Sequence, residues 1–332
     1  MKIIERYKFY ILIVTGAVLA CAGMCSPLYA QSSLIGSTTA KFLKVGLGGR
    51  SAGMGGAFTA AGEGVEAMFW NPAGMARTKD KELGISYNMW FEDISSGYAA
   101  YAQPLKDKKS VLGISGAYWN MGQIEVTSSV TNPPTIESYA AVSQGFAGLS
   151  FSYAFVPNFI IGISGKYIFQ NLAGTSLNGG TADAGILYLI SEYLRIGISG
   201  QNLVTSMQAT GTGGTADVLP VNVKAGISVC PLKELTIALD AEKPLDNDLK
   251  IHAGVEYVFK EIFAVRAGYN QAEATTASGG VSDMAGISMG IGIKSGVGEY
   301  ADEDALKMDV DYAYVPYGGL GTTHRLSLIM RF

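Results

Sequence analysis

From residue 81 onward, apolar and polar residues alternate in short runs separated by turn residues. In the run 159–170, alternate positions carry large apolar side chains: Phe159, Ile161, Ile163, Tyr167 and Phe169. The positions between them include Gly162, Ser164, Lys166 and Gln170, and the runs 249–260 and 305–314 repeat the pattern. Successive side chains of a strand point to opposite faces, so each run predicts a strand with one apolar and one polar face.

About fourteen such runs follow one another, most of them roughly nine to twelve residues long, the length of a tilted strand that crosses a bilayer. Strands of soluble proteins average nearer five or six residues. We predict strands near 82–92, 96–104, 110–119, 142–155, 159–170, 182–190, 194–202, 220–230, 235–243, 249–259, 262–270, 283–294, 305–314 and 322–332. An even number is typical of bacterial outer-membrane barrels.

The connections between these runs alternate in length. Short turns are predicted at 105–109, 156–158, 191–193, 231–234 and 260–261, with a longer one at 295–304. Long connections rich in Gly, Thr, Ser and Asn are predicted at 120–141, 171–181, 203–219 and 271–282. Short turns at one end and long loops at the other are typical of outer-membrane barrels.

The polar faces carry the charged residues of the runs: Lys166, Arg195, Lys224, Asp240, Lys250, His252, Glu256, Arg266, Lys294, Asp309, Asp311 and Arg325. An Arg or Lys facing the bilayer midplane costs about 2–4 kcal/mol, so this set must face the interior. A soluble exported sandwich, the alternative, would place its apolar faces inside. The sequence therefore predicts an all-β transmembrane antiparallel barrel, residues 81–332. We expect the inner charges to pair, as in Lys250 with Glu256 or Arg266 with Asp240, and Trp90 and Trp119 to lie in interfacial belts.

The N-terminus predicts export. Lys2, Arg6 and Lys8 precede an apolar stretch, residues 9–22, which is too short for a membrane-spanning helix. We interpret residues 1–30 as a signal peptide that is removed; a lipoprotein cleavage site before Cys21 is the alternative. Only Cys230 remains in the mature chain, so no internal disulfide forms. The expected location is the outer membrane of a diderm bacterium, with membrane lipid as one partner.

Composition excludes several classes. The chain has 43 Gly among 332 residues, only 16% charged residues and a net charge of −4. Disordered chains are richer in charge, and nucleic-acid-binding domains are basic. Ser288 lies in a Gly-Ile-Ser-Met-Gly hydrolase-like pattern, but that motif needs a strand-to-helix turn and a histidine, and the chain has two histidines, His252 and His324. We expect no catalytic residues, metal or cofactor, and no nucleic-acid partner.

The C-terminus alternates apolar residues up to the last position, at Leu326, Leu328, Met330 and Phe332. This ending resembles the C-terminal signal that the outer-membrane barrel assembly machinery recognises. The resemblance implies that Leu328, Met330 and Phe332 form the assembly signal, with that machinery as a partner.

Residues 31–80 do not alternate. A glycine-dense run, 46–58, is followed by Trp70-Asn71-Pro72-Ala73-Gly74-Met75. A dinucleotide site would need glycine where Ser51 stands and a strand before the run. We instead expect compact backbone inside the barrel, where glycine permits close approach.

Both motifs resemble the N-terminal signature of the PorV/PorQ family, outer-membrane barrels related to type IX secretion. The residues that carry this resemblance are Gly48, Arg50, Gly53, Met54, Gly55, Gly56, Trp70, Asn71, Pro72, Ala73 and Gly74. The triplet Asn71-Pro72-Ala73 is also similar to one in FadL-type transporters, whose N-terminal segment forms a hatch in a fourteen-stranded barrel. Glu63 and Glu66 replace the aspartates usual after the glycine run. The resemblance implies a hatch or plug within residues 31–80.

Three functions follow as hypotheses. As a PorV/PorQ-type protein, the chain would be an interaction component of type IX secretion, holding the translocon or secreted cargo through loops 120–141 and 203–219. As a FadL-like protein, it would be a passive transporter of hydrophobic small molecules, with a movable hatch near residues 53–73. A purely structural barrel is the third.

Overall fold

The computed structural model describes residues 38–92, 94–127, 136–172, 175–204, 206–209, 218–271, 286–295 and 306–332. The predicted signal peptide lies outside these residues, as do residues 31–37 and parts of the predicted long connections. The described chain consists of an N-terminal segment followed by one sheet.

The sheet has fifteen strands that follow the chain. They are β1 (Glu82–Met89), β2 (Ser95–Pro104), β3 (Ser110–Thr127), β4 (Ile136–Val156), β5 (Phe159–Leu172), β6 (Thr175–Ser191), β7 (Leu194–Gln201), β8 (Ser206–Ala209), β9 (Asn222–Leu232), β10 (Leu235–Pro244), β11 (Lys250–Phe259), β12 (Phe263–Asn270), β13 (Ile287–Lys294), β14 (Lys307–Pro316) and β15 (Thr322–Arg331).

Every strand pairs antiparallel with its neighbours, and the first pairs with the last, with Leu83 opposite Met330 and Tyr87 opposite Leu326. Strands β7 and β8 both pair with β6, at successive positions along it. They are two pieces of one interrupted strand, so the sheet is a closed barrel with fourteen positions. The predicted fold class is confirmed, and closure leaves no sheet edge exposed to hydrocarbon.

The two faces of the barrel are opposite in character. Outward side chains are apolar and exposed, as at Leu149 (68% exposed) and Ile291 (60%). Inward ones include buried charges such as Lys166, Asp183 and Arg266. This arrangement fits an apolar solvent outside the wall and a polar interior, as the alternation predicted.

Two predicted loops are partly strand. Strands β3 and β4 continue to Thr127 and from Ile136, within the predicted loop 120–141. Strands β5 and β6 continue to Leu172 and from Thr175, within the predicted loop 171–181. The Ser, Thr, Asn and Gly residues there suggested a loop, yet their backbones still pair across the two strands. β3 accommodates this extension with an irregular register between Asn120 and Gln123.

The belt prediction for the two tryptophans is wrong. Trp119 is 2% exposed and packs against Phe42 and Phe146 inside the barrel. Trp90 contacts the ring of Tyr317 and lies over Arg325. Trp119 follows the outward Tyr118 within β3, so strand alternation turns it inward. Trp90 directly follows Met89, the outward last residue of β1.

The N-terminal segment, residues 38–80, lies within the barrel and is called the plug below. It contains two short helices, α1 (Gly49–Gly53) and α2 (Gly64–Trp70), and 3₁₀ turns at Lys41–Lys44 and Pro72–Arg77. No helix in the described part of the chain combines the length and apolar character that a membrane-spanning helix requires.

Candidate functional site: the plug and its contacts with the wall

The plug has its own apolar core. Met54, Phe58, Met68 and Met75 are fully or almost fully buried, and they belong to one hydrophobic cluster that also includes inward residues of the wall. Trp70 packs edge-on against Phe58 and Phe69, and its indole N–H donates to the Leu47 carbonyl (3.1 Å). Residues from both predicted motifs therefore meet in one core.

The glycine run gives the chain a tight course around α1. Gly55 and Gly56 have φ values of +64° and +81°, which L residues with side chains rarely adopt. A Cβ on Gly55 would also lie 2.5 Å from the backbone N of Tyr269 in β12. This part of the plug lies directly against the wall backbone.

The wall has matching glycines on its inner face. A Cβ on Gly162 in β5 would overlap the backbone of Pro72 and Ala73, and one on Gly268 in β12 would overlap Gly55. The same close approach to the plug occurs at Gly84, Gly113, Gly185, Gly197, Gly254 and Gly290. Many of the inner-wall glycines are thus plug contacts.

Arg50 connects the plug to a buried charge cluster on the wall. Its guanidinium donates two hydrogen bonds to Glu256 in β11, at 2.9 and 2.7 Å. Arg266 of β12 donates to the same carboxylate (2.6 Å) and pairs with Asp311 of β14 (2.7 Å). The expected pairs, Lys250 with Glu256 and Arg266 with Asp240, are therefore not formed. The plug adds a cation, Arg50, that the strand pattern does not show.

Glu66 of α2 is a further carboxyl group near this cluster. It is buried, and its Oε1 has no hydrogen-bond partner within the described residues. Burial, followed by the charge of Asp311, raises the pKa of Glu66 to about 8, although Arg50 and Arg266 act in the opposite direction. The neutral carboxyl is therefore the form that the folded plug favours near neutral pH.

The Asn71-Pro72-Ala73-Gly74 motif joins two parts of the plug to strand β6. The Asn71 side chain accepts from Ala73 N (3.1 Å) and donates to Thr59 O (2.8 Å) and Ile186 O (3.2 Å). Asn71 caps the 3₁₀ turn and Pro72 is its first residue, positions that both residue types favour. Gly74 lies against the Gly62 carbonyl, where a Cβ would be only 2.5 Å away.

Further wall groups bind the plug backbone. Asp240 accepts from the N–H groups of Phe58 and Thr59, both at 2.8 Å, and Glu82 accepts from Val65 N near the start of α2 (2.9 Å). Other wall groups that bind the plug backbone include Tyr98, Ser152, Gln201, His252, Ser288, Ser327 and Arg325. Sequence reasoning marked several of these as inward, but not as plug contacts. For Ser152 and Gln201, the sequence indicates only that they lie on the inward, polar side of their strands, and nothing in it indicates contact with the plug.

At the C-terminus, Leu328 and Met330 lie on the outward side of β15, beside Leu326, and Phe332 is 55% exposed. Phe332 also exchanges backbone hydrogen bonds with Lys81 (3.1 and 3.2 Å) and stacks near Tyr101. The last strand therefore closes the barrel next to the point where the plug leads into β1. Its predicted role in assembly stays a prediction.

A cavity of about 220 Å³ lies on the side of the plug that faces the longer connections, here called the loop end. It is lined by plug residues including Lys44, Gly56 and Trp70 and by wall residues including Lys224, Glu242, Lys250, His252 and Arg325. A second cavity of about 420 Å³ lies at the opposite, turn end, beside Glu63, Arg77, Lys294 and Arg331. Both cavities have charged linings.

A closed barrel with an apolar outer wall, a polar inner wall and a packed N-terminal plug is an outer-membrane β-barrel. The model of the family described as "Type IX secretion system protein PorV" matches residues 29–197, just over half of the 332-residue chain. This chain belongs to the PorV family.

Solved structures that align with this chain include two toluene transporters and a FadL homologue. The Ralstonia pickettii toluene transporter TbuX aligns with a TM-score of 0.56 and 13% identity, over 86% of this chain and 98% of that one. The Pseudomonas putida toluene transporter TodX aligns at 0.56 and 12%, over 86% and 97%. A Pseudomonas aeruginosa FadL homologue aligns at 0.50 and 12%, over 86% and 98%. At these identities the likeness concerns the fold alone. No curated protein matches the sequence.

Proposed function

We propose that this chain serves type IX protein secretion as an outer-membrane interaction component whose plug stays in place, and that it holds the translocon or secreted cargo at its loop end. The observation that carries the proposal is the attachment of the plug, through backbone contacts and buried hydrogen bonds, to strands all round the barrel. Membership of the PorV family supports the secretion role.

Passive transport of hydrophobic molecules is the second candidate, favoured by the fold shared with toluene transporters. It requires a movable plug and an apolar path through the barrel. The loop-end cavity instead carries Lys44, Lys224, Lys250 and Arg325, groups that an apolar solute does not compensate. This lining counts against transport through the lumen as the main role.

A disulfide between plug and wall separates the two candidates. A Cβ on Gly84 of β1 would lie 3.5 Å from the Cβ of Val65 in α2, within the range that disulfides span. The double variant Val65→Cys/Gly84→Cys, in a Cys230→Ser background, should therefore lock the plug to β1. The Cys230→Ser chain with only one of the two new cysteines is the matched control.

The locked and control chains would be expressed in a host lacking the native protein. The readouts are export of type IX cargo and uptake of a labelled apolar solute such as toluene, each with and without reductant. We expect the oxidised, locked chain to export cargo as well as the control. If the locked chain loses export and reductant restores export, the proposal that the plug stays in place is overturned. Loss of toluene uptake alone would establish the transport candidate.

The partner is identified by gentle detergent purification from native membranes, with mass spectrometry of co-purifying proteins and lipids. A large translocon subunit, or secreted proteins that share a C-terminal domain, is the expected result. Replacing residues 128–135 with a Gly-Ser segment of equal length should release that partner while the barrel still folds. A partner-free protein carrying apolar molecules would contradict the secretion role.

A further inference from the structure

One cation that lines the loop-end cavity is buried and has no carboxylate partner among the described residues. Arg325 of β15 is 4% exposed. Its Nη1 donates to the Gly46 carbonyl (2.9 Å) and its Nη2 donates to the Tyr317 hydroxyl (3.0 Å), both of which are neutral acceptors. No carboxylate pairs with it within the described residues. A buried charge is normally paired, because removing it from water without a partner is strongly unfavourable.

The Arg325 guanidinium is also held in a fixed orientation. Trp90 lies 5.8 Å from it, ring centroid to Cζ, and the two hydrogen bonds fix its plane. Its Nε has no acceptor within the described part of the chain, and neither has the indole N–H of Trp90. Both side chains line the cavity. The Arg325 side chain therefore borders the cavity with a charge that no carboxylate among the described residues offsets.

The charge of the whole cavity points the same way. Lys44 pairs with Asp246 and Lys224 pairs with Glu242 (3.1 Å), whereas Lys250 has no ion-pair partner among the described residues. Four cations thus face two carboxylates, an excess of two positive charges before His252 is considered. His252 is already bound to Gly55 O and Glu242.

We propose that the loop-end cavity is a binding site for an oxyanion group, a carboxylate or a phosphate, held by Arg325 and Lys250. An arginine fork matches the oxygen geometry of both groups. At about 220 Å³ the cavity is smaller than the roughly 300–1,000 Å³ of pockets for drug-sized ligands. It takes a single anionic group, either a free ion or the end of a larger molecule. The site does not depend on the secretion role.

Intrinsic tryptophan fluorescence tests the site directly. The chain has three tryptophans, of which Trp70 and Trp90 line the cavity and Trp119 lies elsewhere in the core. Purified protein in a non-ionic detergent, at fixed ionic strength and low chloride, would be titrated with inorganic phosphate and with acetate. We expect a saturable change that persists in Trp119→Phe and is reduced in Trp90→Phe.

Charge variants assign the binding residues. Arg325→Gln and Lys250→Gln should each weaken anion binding at least tenfold, and Arg325→Lys should recover part of the loss. Lys294→Gln, which removes a half-buried inner-wall lysine at the turn end, is the matched control and should stay within twofold of the parent. If Arg325→Gln fails to form a heat-modifiable folded barrel, Lys250→Gln decides the result, because Lys250 is only half-buried.

The source of the oxyanion is distinguished with a tethered carboxylate. Pentaglycine with a free C-terminus and its C-terminal amide would be titrated in the same way. Tighter binding of the free acid than of acetate identifies the end group of a larger molecule, whereas equal or tighter binding of acetate or phosphate identifies a free ion. No saturation with any of these anions, or equal affinity in Lys250→Gln and Lys294→Gln, would overturn the proposal.

Discussion

Arg50 of the plug and Glu256 of strand β11 form a two-bond ion pair, with Nε–Oε2 at 2.9 Å and Nη2–Oε1 at 2.7 Å. The residues are 206 positions apart in the chain, and the pair lies where water is largely excluded. Glu256 is also bound by Arg266, so one carboxylate joins the plug to a second wall strand. This pair makes plug position and barrel structure depend on each other.

Removing the plug's half of this pair should destabilise the protein. Arg50→Ala leaves Glu256 paired with Arg266 alone. We therefore expect the free energy of unfolding, measured in urea, to fall by less than the loss of about 3–5 kcal/mol that is typical when a buried charge loses its only partner. Lys307→Ala is the control, because Lys307 meets Asp80 at 3.7 Å with both side chains partly exposed, and such pairs contribute about 0–1 kcal/mol. Equal losses in the two variants would contradict the importance of the Arg50 pair.

Two glycines of strand β5 provide a matched test of the close contact between plug and wall. A Cβ on Gly162 would overlap Pro72 and Ala73, whereas a Cβ on Gly165, on the outward face, would meet nothing within 4 Å. Gly162→Ala should cost about 1–3 kcal/mol through overpacking and should raise protease cleavage of the plug. Gly165→Ala should leave both properties near the parent. If Gly162→Ala has the same unfolding free energy and the same protease cleavage as the parent, the plug is not packed tightly against Gly162.

The stability of the plug should depend on the Asn71 amide more than on the size of the side chain. Asn71→Asp keeps an acceptor for Ala73 N but turns a carboxylate oxygen toward the carbonyls of Thr59 and Ile186. Asn71→Ala loses the three hydrogen bonds and leaves buried groups unpaired, at about 1–3 kcal/mol per group. We expect both variants to increase amide hydrogen exchange across 59–76, the Asp variant at least as much as Ala. Unchanged exchange in both would show that the plug is held by its other contacts.

The period-two pattern was sufficient to predict the barrel, because the outer and inner walls impose opposite polarity on alternate residues. Leu149 and Lys166 could be assigned to their faces from parity alone, and Trp119 could have been, since it directly follows the outward Tyr118. The interfacial-belt expectation was wrong there because it used residue type rather than parity. Some strand ends were missed for a related reason: their many Ser, Thr, Asn and Gly residues were interpreted as loop, although backbone pairing extends β3 to Thr127.

The plug contacts could not be predicted in the same way. Arg50 and Glu256 are brought together by the path of the plug inside the barrel, and no local pattern near either residue encodes that path. Asp240 was marked as inward, but its role as acceptor for the N–H groups of Phe58 and Thr59 depends on a plug turn that only the folded chain displays. The glycine density was the one available signal, and it indicated close backbone approach without naming the partners.

Glu66 should make plug stability depend on pH. Its pKa is raised to about 8 in the folded protein from 4.5, so the folded state retains a proton that the unfolded chain releases above about pH 4.5. Stability contributed by the protonated carboxyl is therefore complete below pH 4.5 and is lost as the pH rises to 8. The slope is at most about 1.4 kcal/mol per pH unit.

Glu66→Gln keeps the shape of the neutral carboxyl and cannot ionise. We expect its unfolding free energy to exceed that of the parent by a margin that grows from pH 5 to pH 8, measured by urea unfolding at each pH. Asp107→Asn is the control. Hydrogen bonding by Ser110 lowers the pKa of this exposed turn carboxyl, so its contribution is lost only as the pH falls below 3.8. Taking the difference between variant and parent cancels the contribution of every group that the substitution leaves unchanged. A constant difference between pH 5 and pH 8 would show that Glu66 is ionised in the folded protein, and that Arg50 and Arg266 outweigh its burial.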